Sequence, residues 1–120
     1  MGNSILFVDD DPDLREIVSD QLSASGYDVD SAEDGELAID KLQEKNYEVV
    51  LLDITMPNKN GMDVLRFTKD HSMSCKVIML TGMVGLSIAI ESIKLGAADY
   101  ITKPYNMDYL LSSIKRALEK

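Results

Sequence analysis

One cysteine and one histidine in 120 residues leave Cys75 and His71 without like partners, which excludes an internal disulfide, a multi-cysteine metal cage and a His-rich metal site. Basic residues are also scarce. Twelve Lys and Arg against 21 Asp and Glu give a net charge of −9, and no run of Lys and Arg forms a patch that would overcome repulsion from nucleic acid or anionic lipid. No apolar run approaches membrane-spanning length. The start, Met1-Gly2-Asn3-Ser4, lacks the basic opening of an export signal. Gly2 invites a myristoylation reading, but Leu6 stands where that motif wants Ser or Thr. The expectation is a cytoplasmic chain that binds neither nucleic acid nor membrane. With no linker, repeat or low-complexity segment, residues 1–120 suit one domain that folds without disulfide or structural metal.

The apolar residues fall into short blocks. Ile5-Leu6-Phe7-Val8, Val49-Val50-Leu51-Leu52 and Val77-Ile78-Met79-Leu80 are continuous and rich in branched side chains, as strands covered on both faces require. Tyr27-Asp28-Val29-Asp30 alternates like an edge strand, and Ala98-Asp99-Tyr100-Ile101 is a weaker candidate of that kind. Between the blocks, helical spacing aligns Leu14, Ile17, Val18 and Leu22, then Leu86, Ala89, Ile90 and Ile93, then Leu110, Leu111, Ile114 and Leu118. Shorter helices are expected around Leu37 to Leu42 and Met62 to Phe67. Gly26 and Gly96 stand where left-handed C-terminal caps belong, and Asn106 can cap the last helix. This βαβ rhythm predicts an α/β fold with a doubly wound, five-stranded parallel sheet and helices on both faces.

Open parallel sheets bind ligands beyond the carboxyl ends of their strands. The first strand runs into Asp9-Asp10-Asp11-Pro12-Asp13. Helix capping explains part of that run: Asp11 reads as the N-cap before Pro12 at the first helical position, with Asp13 favourable in the first turn. Asp9 and Asp10 are left over, and Asp53 ends the buried run Val49 to Leu52. If those strands are neighbours, three carboxylates share a pocket. Two such charges about 4 Å apart repel by about 4 kcal/mol at an effective dielectric of 20, so a cation is the natural occupant. Mg²⁺, which takes few carboxylates, retained waters and a phosphate, suits the set better than Ca²⁺, because EF-hand spacing is absent. Thr81 and Lys103 end the next strands, bringing a hydroxyl and an ammonium. Singly, each has a mundane account as a turn residue, surface charge or strand terminator. Their joint arrival at successive strand ends favours a phosphate-handling site.

These segments, with Asp53-Ile54-Thr55-Met56-Pro57, Gly61, Thr81-Gly82, Gly96-Ala97-Ala98-Asp99-Tyr100 and Lys103-Pro104-Tyr105, resemble the receiver domain of bacterial two-component response regulators, chemotaxis receivers included. The resemblance covers essentially the whole chain. It implies the flavodoxin-like strand order 2-1-3-4-5 and a cis bond between Lys103 and Pro104. It further implies that Asp53 accepts a phosphoryl group from a phosphohistidine on a sensor histidine kinase or phosphotransfer protein. Asp10 and Asp53 would ligate Mg²⁺ directly, Asp9 through water and Thr55 through its backbone carbonyl, while Lys103 pairs with the phosphoryl group. Thr81 and Tyr100 would form the switch, coupling the site to the surface of the fourth helix, fifth strand and fifth helix, where a second copy or an output domain docks. The chain would thus be a signalling domain that catalyses its own phosphorylation and slow autodephosphorylation. Thr55 and Met83 would flank the hydrolytic water, and neither orients it well.

Two other classes stay in view. A Mg²⁺-dependent phosphohydrolase with an Asp nucleophile needs a second Asp two places on, where Thr55 stands. A flavin carrier needs a Ser/Thr- and Gly-rich phosphate loop after the first strand, where Asp9-Asp10-Asp11 would repel phosphate.

Overall fold

The computed structural model describes residues 3–54, 60–82 and 86–119. Strands β1 (Ser4–Val8), β2 (Asp28–Ala32), β3 (Val49–Asp53), β4 (Lys76–Thr81) and β5 (Asp99–Thr102) alternate with helices α1 (Pro12–Ala24), α2 (Gly35–Glu44), α3 (Gly61–Asp70), α4 (Leu86–Lys94) and α5 (Met107–Leu118). All strand pairs are parallel, in the order β2-β1-β3-β4-β5. The predicted α/β architecture and strand order are both observed.

Alternate residues of the central strands feed two cores. Leu6, Val8, Val50, Leu52 and Met79 pack on one face with Ala38 and Leu42 of α2 and Val64 and Leu65 of α3. Ile5, Phe7, Leu51, Ile78 and Leu80 pack on the other with Val18 and Leu22 of α1 and Leu110 and Ile114 of α5. Every residue of β3 is buried, as its unbroken apolar run implies.

Local signals set the boundaries. Asp11 accepts hydrogen bonds from the N–H groups of Asp13 (3.0 Å) and Leu14 (3.2 Å), and Asn106 accepts one from Tyr109 N–H (2.6 Å). Gly26 and Gly96 hold φ of +99° and +97° after α1 and α4, and the Lys103–Pro104 peptide is cis. Helices α2 and α3 start earlier than their apolar residues suggest because Asp34 and Asn60 cap them, the latter in a reciprocal box with Asp63.

Two helical faces differ from expectation. Ile17 is 55% exposed, so the inward stripe of α1 is Leu14, Val18 and Leu22. In α4, Ile90 (46%) and Ile93 (54%) face solvent, while Ile88, and Leu95 just past the helix end, pack against the core and Ser92 is fully buried. The helix is apolar on both sides, so spacing alone did not choose the face. The Ser92 hydroxyl, satisfied by donating to the Ile88 carbonyl (2.9 Å) and lying 3.5 Å from Met62 Sδ, allows that side to go inward.

Edge strand β2 is tied down by a polar cluster. The buried Tyr47 hydroxyl donates to Asp30 (2.7 Å), and Lys45 Nζ lies 3.1 Å from the same oxygen. The Tyr47 bond lowers the Asp30 carboxyl below its ordinary 3.8, partly opposed by burial and helped by Lys45. A lowered folded value means stabilisation that is present above the unfolded value and lost as pH falls through the folded one. Tyr47→Phe is therefore expected to cost about 1 kcal/mol at pH 7, the partly exposed carboxylate limiting the effect. Urea denaturation at pH 7 and pH 3 checks this; an equal cost at both would show that Asp30 ionisation contributes nothing.

Candidate functional site

The order β2-β1-β3-β4-β5 sets the carboxyl ends of β1, β3, β4 and β5 side by side, and the residues just past those ends converge. Ligand oxygens of Asp9, Asp10 and Asp53 all lie within 4.8 Å of one another. Asp9 is 1% exposed and Asp53 6%, whereas Asp10 is exposed. Lys103 Nζ donates to Asp9 Oδ2 (2.9 Å) and to Asp53 Oδ2 (3.1 Å), holding two carboxylates with one ammonium. Burial pushes the Lys103 pKa down, but the hydrogen bonds and charges of Asp9 and Asp53 outweigh it and hold the value above the usual 10.5.

Asp9 is committed on every polar group. Its N–H donates to the Ala32 carbonyl (3.1 Å), Oδ1 accepts from Asp11 N–H (2.9 Å), Oδ2 accepts from Lys103, and its carbonyl accepts from Arg15 Nη1 (2.9 Å). Asp11 is spent on capping α1. Asp10, between them in the run, is exposed and lies beside both Asp9 and Asp53.

Thr81, at the end of β4, is fully buried, and its carbonyl accepts the Lys103 N–H (2.7 Å). Register pairs Asp53 with Leu80 and Thr81 with Thr102, so Thr81 sits one step beyond the level of Asp53 on the neighbouring strand. Tyr100 lies half-buried on β5 against the core that also receives Ile88 of α4 and Leu95 just after it. Thr55 and Met83 lie outside the described residues. Tyr105, next to the cis peptide, carries a buried hydroxyl with no hydrogen-bond partner among the described residues. Burial raises its pKa, Asp9 and Asp53 push the same way, and Lys103 opposes them.

Two residues matter here that the sequence reading did not single out for a task. Arg15 reaches back from α1 to the Asp9 carbonyl; helical side chains lean toward the N-terminus, which is the signal that would have found it. Gly61 packs against the backbone of Asp53 and Ile54, a closeness visible only in three dimensions.

A parallel sheet of this order with an acid cluster and a lysine at its carboxyl edge defines a receiver-type fold. The chain matches the family model of the response regulator receiver domain over residues 5–115 and belongs to that family. It is a phosphorylation-switched signalling domain of the two-component response regulator type. Among its relatives is the chemotaxis protein CheY of Bacillus subtilis, 35% identical over 119 residues, covering 98% of this chain and 99% of CheY. The regulatory protein AtoC of Escherichia coli is 32% identical over 117 residues, and the match spans 98% of this chain but only 25% of AtoC. The response regulator TrrA of Thermotoga maritima, solved in complex with Mg²⁺ and BeF, superposes with a TM-score of 0.87 at 35% identity, covering 97% of this chain and 99% of that one. Among the described residues no helix is long and apolar enough to cross a membrane.

Proposed function

We propose that the whole of residues 1–120 forms one receiver unit in which Asp53 is the phosphoacceptor, taking its phosphoryl group from a phosphohistidine of a sensor histidine kinase or phosphotransfer protein. The observation that carries this reading is the convergence of three carboxylates within 4.8 Å around a lysine that touches two of them. An Asp53 oxygen forms the new P–O bond as the P–N bond breaks, and the electron pair stays on the imidazole. Lys103, already against Asp53, pairs with the arriving phosphoryl oxygens, and the Thr81 hydroxyl supplies a further hydrogen bond.

The donor set is all oxygen and anionic, which suits Mg²⁺. Asp10 and Asp53 would hold it directly, Asp9 through water, and the Thr55 carbonyl would complete the protein ligands. When bound, Mg²⁺ supplies positive charge opposite the transferring group. Thr81 shifting toward the phosphoryl group would open space for Tyr100 and so change the surface of α4, β5 and α5. Autodephosphorylation is slow. The reading places the protein in the cytoplasm, with no direct contact to nucleic acid or membrane. Incubation with acetyl phosphate should add one labile phosphoryl group with Mg²⁺ present and none in EDTA. Labelling undiminished in EDTA would overturn the metal assignment.

The exposed Ile90 and Ile93 of α4, with Tyr109 of α5, support docking of a second copy or an output domain on this surface. Because Ile88 points to the core, the informative variant is Ile93→Glu. It should weaken association of the phosphorylated chain about tenfold or more while leaving acetyl phosphate labelling intact. An unchanged sedimentation profile and unchanged partner binding would remove this surface from consideration.

A further inference from the structure

Asp10 is the exposed member of the acid cluster, and none of the described residues pairs with its carboxylate, so its aim is set by the two peptides that flank it. One of them is pinned from within the loop: the Asp11 N–H donates to Asp9 Oδ1 at 2.9 Å. The other is pinned from α1, where Arg15 Nη1 donates to the Asp9 carbonyl at 2.9 Å. With both peptide planes held, the backbone torsions of Asp10 have little freedom. Its Cα–Cβ bond is then fixed toward Asp9 and Asp53 before any cation arrives.

Arg15 is also out of place by the usual electrostatics of helices. Its N–H bonds the Asp11 carbonyl in the first turn of α1, near the positive end of the helix dipole, where a cation is disfavoured. Among the described residues its guanidinium meets no carboxylate and makes one hydrogen bond, to the Asp9 carbonyl. The placement therefore serves the loop and not the helix.

Resting on the metal-site reading above, we propose that Arg15 is a positioning residue for Mg²⁺: through the Asp9–Asp10 peptide it orients Asp10 toward the cation without touching it. Two opposed effects of the guanidinium separate by sign. As a nearby positive charge it repels a divalent ion, so removing it would tighten binding. As a hydrogen-bond donor it preorganises a ligand, so removing it would weaken binding, and outer-shell partners of metal ligands are commonly worth tenfold or more in affinity. The second effect is expected to dominate.

The test is calorimetric titration of Mg²⁺ into wild type, Arg15→Gln and Arg15→Lys, with Asp10→Asn as the reference for loss of a ligand. Arg15→Gln is expected to bind about tenfold more weakly than wild type, and Arg15→Lys, which keeps the charge but not the planar fork, also more weakly. Chemical shifts in EDTA give a readout that needs no metal: the Asp9 carbonyl carbon and the Asp10 amide nitrogen should move in both variants. Melting in EDTA shows whether each is folded. Wild-type or tighter affinity in Arg15→Gln overturns the positioning role. Failure of wild type itself to bind Mg²⁺, or equal binding by Asp10→Asn, overturns the metal-site reading and this inference with it.

Discussion

Replacing Asp53 with asparagine is expected to abolish phosphoryl incorporation from acetyl phosphate while leaving the protein folded. The substitution keeps the size and planarity of the side chain and removes only the nucleophilic charge. No neighbouring acid among the described residues is placed to take over. Asp9 is 1% exposed with all its polar groups engaged, and Asp11 is held as the α1 cap. Asp10 is accessible but lies beyond the reach of the ammonium that contacts Asp9 and Asp53. The variant should also hold its melting temperature or raise it. Carboxylates whose oxygens lie within 4.8 Å of one another repel by about 3 kcal/mol or more at an effective dielectric of 20, a relief that offsets the loss of one of the two carboxylates on Lys103. Intact-mass measurement after acetyl phosphate treatment, paired with thermal melting in EDTA, separates loss of the nucleophile from loss of the fold. Wild-type labelling of Asp53→Asn would mean that another acid is the acceptor.

What could be read before the structure follows from how strongly burial constrains each segment. β1, β3 and β4 were legible because a strand covered on both faces must be apolar throughout, and Asp9, Asp53 and Thr81 stood out by ending such runs. β2 and β5 border the sheet, where side chains are only partly buried, and their observed limits begin one residue later than the pattern suggests. The α4 face was chosen wrongly because apolar residues occupy both of its sides, and the deciding contact is a buried serine that no hydrophobic count registers. Ile17 was swept into the α1 stripe because spacings of three and four both look inward on a short helix, whereas packing used only Leu14, Val18 and Leu22. Arg15 was passed over because a lone arginine on an amphipathic helix has an ordinary solvent-facing explanation. Its bond to the Asp9 carbonyl follows from the N-terminal lean of helical side chains, a direction that apolar spacing does not carry.

Gly61 carries the other large expected effect, and its cause is steric. The Gly61 N–H donates to the Ile54 carbonyl at 3.0 Å, drawing the start of α3 against the end of β3. A Cβ at this position would collide with the Asp53 carbonyl oxygen, lie 2.9 Å from Ile54 Cα and 3.0 Å from the Asp53 carbonyl carbon. All three atoms are backbone, in a strand end hydrogen-bonded onward through Ile54 N–H to the Leu80 carbonyl at 3.2 Å. No side-chain rotation relieves the contact, so α3 must move off or the peptide bearing Asp53 must shift. Gly61→Ala is expected to destabilise the fold by about 3 kcal/mol, at the upper end of overpacking costs. The strain falls on the phosphoacceptor, so acetyl phosphate labelling should slow even at temperatures where the variant remains folded. Gly82, at the end of β4, provides the contrast: among the described residues nothing lies within 4 Å of a Cβ there, and Gly82→Ala should change stability by no more than about 0.5 kcal/mol. Urea denaturation of both variants, with labelling followed in the cold, tests the pair. A Gly61→Ala protein as stable as Gly82→Ala would mean that α3 is free to slide away from β3. In that event the alignment of Asp53 would have to be set by its strand neighbours and Lys103 alone.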